Sequence, residues 1–198
     1  MRHIASMLLL FTSLASASSN GIQTLHVASD VRLAFSPHGG STQLVVSAIE
    51  GAQHEILVQA YGFTSTDIVK ALGKAKDRGV DVRVILDKTN AKTRGGRRQY
   101  SGATYLKNHG IPVWIDDTVK IAHNKVMVMD GHGVLTGSFN FTKAAETSNA
   151  ENVIYIENAP ELAKAYADNW VARLQVSHPY SSWCRHGPTA LPDTDSAH

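Results

Sequence analysis

A histidine and a lysine separated by one residue lead into an apolar run in this chain of 198 residues. His123 and Lys125 precede the stretch 126–129, Val-Met-Val-Met, which predicts a buried β-strand that ends at Asp130. In a strand, side chains two positions apart project from the same face, so the imidazole and the ammonium group are expected side by side. A nucleophile next to a fixed cation suits the cleavage of a phosphate ester.

A second polar pair follows on the next predicted strand. Asp130 and Gly131 form a strong hairpin signal, and the strand 134–137 returns beside the first one. Ser138 and Asn140, at the end of the returning strand, are therefore expected near the imidazole and the ammonium group. By the alternation of the first strand, Asp130 falls on the opposite face, which predicts a supporting role at the strand end.

The rest of the chain predicts the framework that positions these residues. Apolar runs alternate with amphipathic stretches, which favours an α/β fold with a mixed, mainly parallel β-sheet sandwiched between helices. Strands are expected at 55–61, 81–87, 111–115 and 152–156, the last led in by Glu151, with a helix closed by Gly79 between the first two. A final helix begins at Pro160, and its apolar residues recur every fourth position, as expected for core packing. Those residues are Leu162, Tyr166, Trp170 and Leu174.

The beginning of the chain has the pattern of a secretory signal peptide over residues 1–17. A short basic start is followed by an apolar run over 4–14 and by Ala15-Ser16-Ala17, a small-residue cleavage pattern. A membrane anchor is the alternative, but the run is shorter than the roughly 20 residues that a spanning helix needs. The sequence therefore predicts a periplasmic or secreted protein with no membrane partner after cleavage.

The remaining length predicts one compact domain over residues 18–177. Residues 178–198 are rich in Ser, Pro and Asp, which predicts a disordered tail. The lone cysteine, Cys184, excludes an internal disulfide.

Five basic residues and no acidic residue occur within the segment 88–98, although the formal net charge of the whole chain is only +2. Two glycines within the segment favour a loop, and such a loop can follow a phosphate backbone. A solvated surface loop is an equal alternative when the cluster is taken alone. The basic residues are Lys88, Lys92, Arg94, Arg97 and Arg98.

Together, the residues over 123–130 and 137–140 resemble the HKD motif of the phospholipase D superfamily, which includes nucleases. Further stretches that carry the resemblance lie at 35–40, 60–64 and 76–82, and the resemblance extends over about 31–173. It is closest to the small, single-motif bacterial endonucleases called Nuc-type. The longer and more basic segment 88–98 departs from that pattern and leaves the breadth of substrates open.

The resemblance implies a metal-independent phosphodiesterase without a cofactor, in which His123 attacks phosphorus and forms a phosphohistidine. Lys125, Asn140 and Ser138 would hold the phosphoryl oxygens. Glu151 is the candidate carboxylate that orients the imidazole, and a plain surface residue is the alternative for it. Protonation of the leaving oxygen needs a second acid, and relatives pair two motifs about a twofold axis. The resemblance thus implies a homodimer whose two copies of His123 share one active site.

Metal catalysis is the main chemical alternative, because the chain holds ten histidines. However, no His-x-His or His-Glu-x-x-His spacing occurs, and Lys125 repels a cation from the face of His123. No metal site is therefore predicted.

The leading functional prediction is a non-specific endonuclease that cleaves DNA, with RNA left open. A lipid phosphodiesterase of the phospholipase D type ranks lower, because the sequence shows no amphipathic membrane helix and no exposed apolar cluster. A non-catalytic nucleic-acid-binding module is a third alternative, and the complete set of site residues argues against it.

Overall fold

The computed structural model describes residues 22–91 and 101–180. The strands are β1 (Val31–Ser36), β2 (Glu55–Ala60), β3 (Asp81–Asp87), β4 (Val113–Asp116), β5 (Lys125–Met129), β6 (Gly133–Gly137), β7 (Glu151–Ile156) and β8 (His178–Pro179). The helices are α1 (Ser41–Gly51), α2 (Thr66–Asp77), α3 (Gly102–Asn108), α4 (Lys143–Thr147) and α5 (Pro160–Gln175). The predicted signal peptide, Cys184 and the basic residues Lys92, Arg94, Arg97 and Arg98 lie outside the described residues.

All eight strands join one sheet in the order β1-β7-β6-β5-β2-β3-β4-β8. The predicted mixed α/β sandwich is confirmed, but the expectation of a mainly parallel sheet is wrong. Only the pairings β2 with β3 and β3 with β4 are parallel, and the other five are antiparallel. Helical crossovers produce parallel neighbours, and only α2 and α3 connect strands in that way, whereas β5 and β6 form a tight hairpin.

Helices cover the sheet on both faces, and the alternation of side chains along the strands explains how. In β2, Ile56 and Val58 pack into the core with α1, α2 and α3, whereas Leu57 packs on the other face with Trp170 of α5. The indole of Trp170 also donates a hydrogen bond to the Val58 carbonyl at 3.0 Å. In β5, Met127 faces the first core. The predicted α5 stripe is thus confirmed as core packing.

The helix boundaries follow local signals. Gly79, just after α2, has a φ of +94°, which is the left-handed conformation expected at a helix end. The hydroxyl of Ser101 caps α3 by accepting a hydrogen bond from the Thr104 amide at 3.2 Å. Helix α5 begins at Pro160, as predicted.

The fold extends beyond residue 177, where the sequence predicted the start of a disordered tail. His178 and Pro179 pair with β4 as the edge strand β8. Tyr180 is buried, and its hydroxyl lies 3.0 Å from the Thr104 hydroxyl. The predicted boundary is therefore wrong by at least three residues, because pairing with a strand edge and one buried ring outweigh a polar composition. Within the described residues, no helix is long and apolar enough to cross a bilayer.

Candidate active site

Polar residues of five strands, β1, β2, β5, β6 and β7, lie along the one edge of the sheet at which these strands end or begin. Because β2 and β5 are antiparallel, β2 ends at Ala60 opposite Lys125, where β5 begins. Likewise, β1 ends at Ser36 opposite Glu151, where β7 begins, and β6 ends at the same edge. His123 lies two residues before Lys125 at this edge. The predicted site residues His123, Lys125, Ser138, Asn140 and Glu151 all come from these strand ends.

Lys125 and His123 differ sharply in exposure. Lys125 is a buried residue, 6% exposed, whereas His123 is exposed to solvent. The Lys125 ammonium donates a hydrogen bond to the His123 carbonyl oxygen at 2.7 Å. Burial lowers the pKa of Lys125, and the negative charge of Glu151 offsets part of that shift. A partly desolvated cation is therefore attached to the backbone of the residue that carries an accessible imidazole.

The ring of Tyr61 contacts both members of this pair. Its centroid lies 4.7 Å from the centroid of the His123 imidazole, with the two planes tilted by 55°. The Lys125 ammonium lies 5.4 Å from the centroid of the Tyr61 ring. The sequence placed Tyr61 in the strand expected at 55–61 and in the stretch 60–64 but gave it no role in the site, because the pairing of β2 with β5 is not visible in the sequence.

Asn140 is held by the segment that follows β2. Its side-chain oxygen accepts a hydrogen bond from the Gly62 amide at 3.3 Å. The next residues form a parallel bridge between Phe63 and Phe141, and the amides of Thr64 and Ser65 both donate to the Phe141 carbonyl at 2.9 Å. Over residues 22–91 and 101–180, the amide nitrogen of the Asn140 side chain has no hydrogen-bond partner.

Ser138 and Glu151 are connected through Asn152, which follows Glu151 in the chain and contacts Ser138. The Ser138 hydroxyl oxygen accepts from the backbone amide of Asn152 at 3.1 Å, which leaves the hydroxyl proton free to donate. The Glu151 carboxylate accepts from the Asn149 side chain at 3.1 Å. Ser36, paired with Glu151 in register, has a buried hydroxyl with no partner among the described residues. The orienting role of Glu151 stays a prediction.

Comparison with known proteins identifies the family. Residues 45–173, well over half of the chain, match the family model described as "Cardiolipin synthase, PLD-like domain". The chain belongs to the phospholipase D superfamily. It is 41% identical over 172 residues to phospholipase D of Rickettsia conorii, covering 82% of this chain and 83% of that protein. It is 43% identical over 150 residues to phospholipase D of Rickettsia prowazekii, covering 76% and 70%.

A solved structure supports the same assignment. The phospholipase D family member Nuc from Salmonella typhimurium superposes with a TM-score of 0.70 at 43% sequence identity, covering 76% of this chain and 97% of that chain. The predicted superfamily and the α/β fold are thereby confirmed. This phospholipase D-like protein is a phosphodiesterase, which also removes the non-catalytic binding module from the alternatives.

Asp130 of this phospholipase D-like protein lies at the opposite end of β5 from His123. Its carboxylate accepts hydrogen bonds from the backbone amides of Gln53, His54 and Glu55 at 2.8, 2.7 and 2.9 Å. Burial acts to raise the pKa of Asp130, but these amides outweigh it, and the pKa lies below its ordinary value. Asp130 thus ties β5 to the turn before β2, in agreement with a supporting role.

The segment before His123 is anchored by the end of β3. The buried carboxylate of Asp87 accepts a hydrogen bond from the Ala122 amide at 2.8 Å. The ammonium group of Lys88 donates to the Val119 carbonyl at 2.9 Å, so the first residue of the predicted basic segment is attached to the chain that leads to His123. Across residues 22–91 and 101–180, no group of three or more His, Cys, Asp or Glu side chains is arranged to hold a metal.

Proposed function

We propose that this phospholipase D-like protein is a metal-independent endonuclease that cleaves DNA, with RNA as a second candidate substrate. The observation that carries the proposal is the hydrogen bond from the buried Lys125 ammonium to the backbone of His123, whose own side chain is exposed. An accessible nucleophile next to a desolvated cation matches the needs of phosphodiester cleavage. The site needs no metal ion for this chemistry, because protein groups supply the positive charge.

In the proposed first step, a nitrogen of His123 attacks phosphorus, a P–N bond forms, and the P–O bond to the leaving group breaks. Two ammonium protons of Lys125 remain after its bond to the His123 carbonyl and can bind the phosphoryl oxygens. The side-chain amide of Asn140 and the hydroxyl proton of Ser138 complete that set. Water then attacks phosphorus, the P–N bond breaks and releases His123, and the group that protonated the leaving oxygen takes up the proton of the water. Glu151, whose carboxylate contacts Asn149 and not the imidazole in this structure, is proposed to accept the proton of the far imidazole nitrogen in a hydrogen bond once substrate is bound.

The leaving oxygen needs a proton, and we propose that His123 of a second copy supplies it in a homodimer. A surface suited to this contact lies at the edge strand β1. Val31, Leu33 and Phe35 are 51%, 57% and 61% exposed, and they share one face of the strand. The face continues onto Ile154 of β7, which is paired with Leu33.

This apolar face ends at the active site. Phe35 is in register with Asn152, and the next pair along the strands joins Ser36 to Glu151. Packing of two copies through the face about a twofold axis would therefore bring the two sites together. It would also cover large apolar side chains that a monomer leaves in water.

The positive charge of the segment 88–98 supports a nucleic acid as the substrate. We propose that the basic segment 88–98 follows the phosphate backbone of DNA, beginning with Lys88, which is bonded to the chain that leads to His123. We also propose that the protein acts in the periplasm or outside the cell after its signal peptide over 1–17 is removed.

Lipid phosphodiester cleavage is the second candidate function, and one observation favours it. The prediction from sequence ranked it low because no exposed apolar cluster was visible, and the apolar face of β1 contradicts that reason. An exposed apolar surface beside a phosphodiesterase site could also contact a lipid aggregate.

One assay separates these functions. Purified mature protein is given plasmid DNA, RNA and phosphatidylcholine vesicles, each with and without excess EDTA, with His123→Ala as the matched control. Endonuclease function predicts nicking of plasmid that persists in EDTA and disappears in His123→Ala. Preferred cleavage of the vesicles would favour the lipid function instead. Loss of all activity in EDTA would favour metal catalysis.

The dimer is tested by subunit mixing and by its surface. Heterodimers of wild-type and His123→Ala subunits should have almost no activity, because each productive cleft needs two imidazoles. Phe35→Asp should shift the protein to monomers in sedimentation and reduce cleavage with it. Val171→Asp on α5, which replaces an equally apolar residue that is 46% exposed, is the control and should change neither. A fully active monomer would contradict the shared site.

A further inference from the structure

We propose that Tyr61 is a positioning residue that fixes the His123 imidazole and the Lys125 ammonium relative to each other through the face of its ring. The inference rests on the proposed roles of His123 and Lys125 in catalysis. One ring lies 4.7 Å from the imidazole centroid and 5.4 Å from the ammonium nitrogen. The two groups that must act on the same phosphate thus share a single aromatic neighbour.

The backbone of Tyr61 is fixed on both sides. Its amide donates to the carbonyl of Asn124, the residue between His123 and Lys125, at 2.9 Å. Its carbonyl accepts from the side-chain amide of Asn90 at 2.6 Å, and the same amide group donates to the Asp87 carbonyl at 3.0 Å. Tyr61 is therefore attached to the catalytic strand β5 and to the turn that follows β3. A ring on so well-held a backbone can define the position of a neighbour.

The imidazole needs such a neighbour. His123 is exposed, and within residues 22–91 and 101–180 its ring is held by the contact with Tyr61 and by no hydrogen bond to another side chain. An unrestrained imidazole visits several rotamers, and most of them point the nucleophilic nitrogen away from a bound phosphate. Contact with the Tyr61 ring removes part of that freedom before the substrate binds.

The ring also favours positive charge at both partners. The face of an aromatic ring carries negative potential, which attracts the Lys125 ammonium and any cationic form of the imidazole. A phosphohistidine with its second nitrogen protonated is such a form, so the attraction increases as the proposed intermediate develops. Lys125 is buried, which makes a nearby negative potential more effective than it would be in water.

Core packing does not account for Tyr61. It is half-buried and belongs to neither of the two apolar clusters that stabilise the sheet. The adjacent Phe63, by contrast, is fully buried within the first cluster. The position of the ring over two polar groups at the open edge of the sheet is therefore better explained by the site than by the core.

The experiment compares Tyr61→Phe, which keeps the ring, with Tyr61→Leu, which replaces the ring by a smaller aliphatic side chain. Steady-state cleavage of a small phosphodiester such as bis(p-nitrophenyl) phosphate gives kcat and KM. Tyr61→Phe should keep kcat within about twofold, and Tyr61→Leu should lower kcat by about tenfold with KM changed less than about twofold. Tyr166→Leu on α5 is the control for loss of a tyrosine remote from the site.

A spectroscopic measurement makes the test independent of activity. The imidazole protons of His123, assigned by comparison with His123→Ala, should show an upfield ring-current shift in the wild type and in Tyr61→Phe. The shift should disappear in Tyr61→Leu. If Tyr61→Leu does not fold, Tyr61→Met replaces it, since an unbranched side chain adapts to an irregular space.

Three outcomes overturn the proposal. These are a Tyr61→Leu kcat within twofold of the wild type, a Tyr61→Phe kcat as low as that of Tyr61→Leu, or unshifted His123 protons in the wild type. The failure of the proposed function is seen separately, because an active His123→Ala would remove the role of the imidazole whatever Tyr61 does.

Discussion

The Lys125 ammonium donates a hydrogen bond to the carbonyl oxygen of His123 at 2.7 Å, so the cation of the site is attached to the segment that carries the imidazole. This arrangement also leaves Lys125 only 6% exposed. Burial lowers the pKa of Lys125 as a result, with Glu151 opposing the shift. Burial of the Lys125 charge thus lowers the stability of the folded protein, although the proposed reaction needs that charge.

Replacement of Lys125 by methionine should separate activity from stability. Phosphodiester cleavage is expected to fall by at least about 100-fold, because the phosphoryl oxygens lose their cation. The free energy of unfolding from urea titration should stay equal or rise, because methionine fills the space without a buried charge. Lys74→Met on the exposed side of α2 is the control and should change neither quantity. A less stable, fully active Lys125→Met would contradict the assigned role.

The same variant has a defined pH dependence. Because the pKa of Lys125 is lower in the folded chain than its ordinary value of 10.5, the unfolded chain binds the proton more tightly. Wild-type stability from this group therefore rises with pH between the two pKa values. The stability advantage of Lys125→Met should be largest near neutral pH and should narrow toward pH 10.5, as measured by urea unfolding at several pH values.

Asp130→Asn should lower stability without a direct effect on chemistry. The carboxylate accepts three backbone amides at the far end of β5, and an amide side chain offers one acceptor oxygen and adds donors that clash with N–H groups. The expected loss is about 1–3 kcal/mol of unfolding free energy, with kcat for a small diester within about twofold. Asp77→Asn, at the exposed end of α2, should stay within about 0.5 kcal/mol.

The pH dependence of that loss follows from the lowered pKa of Asp130. A depressed carboxylate pKa stabilises the fold above the ordinary aspartate value and loses this effect as the pH falls through the folded-state pKa. The difference between wild type and Asp130→Asn should therefore be complete at neutral pH and shrink in acid below about pH 4. A difference that is constant with pH would show that the charge of Asp130 is not what holds the turn.

Local patterns in the sequence predicted those parts of the site that lie on one strand or hairpin. The strand and the hairpin signal placed His123 and Lys125 where β5 begins and Asp130 where it ends, and the structure has β5 over Lys125–Met129. Helix boundaries at Gly79 and Pro160 followed from turn and cap chemistry in the same way. Such signals are carried by neighbours in the chain and need no knowledge of the fold.

Features that depend on pairing between distant strands were not predictable. The contact of Tyr61 with both site residues requires β2 to lie beside β5, which no local pattern reveals. The alternation of Val31, Leu33 and Phe35 is also that of a strand facing a core. Only the sheet order puts β1 at the edge and leaves this face in solvent. The fraction of parallel strand pairs was also predicted too high, because the strand order that decides it is not visible in the sequence.

Gly62→Ala should perturb the site through Asn140. A Cβ atom at residue 62 would lie 2.9 Å from the Thr142 methyl group and 3.2 Å from the Asn140 side-chain oxygen, which accepts the Gly62 amide. The loop must shift by a few tenths of an ångström, and misplacement of Asn140, which is proposed to bind phosphate, is expected to lower kcat by about tenfold. Gly51→Ala, at the end of α1 with nothing within 4 Å, is the matched control. Equal kcat values for the two variants would show that the position of Asn140 does not affect catalysis.

Replacing Arg94, Arg97 and Arg98 with alanine tests whether the basic segment binds nucleic acid. Each phosphate contact contributes about 0.9 to the slope of log affinity against log salt for duplex DNA, so three lost contacts should flatten that slope by about two to three. Cleavage of a small diester should stay within about twofold, because it does not extend along the segment. The control replaces three lysines of α2 with alanine, namely Lys70, Lys74 and Lys76. It removes the same net charge at another place, so a smaller effect on the slope would show that the arginines act by local contact. Equal losses on DNA and on the small diester would instead place the arginines at the reacting phosphate, since only there do both substrates meet the same groups.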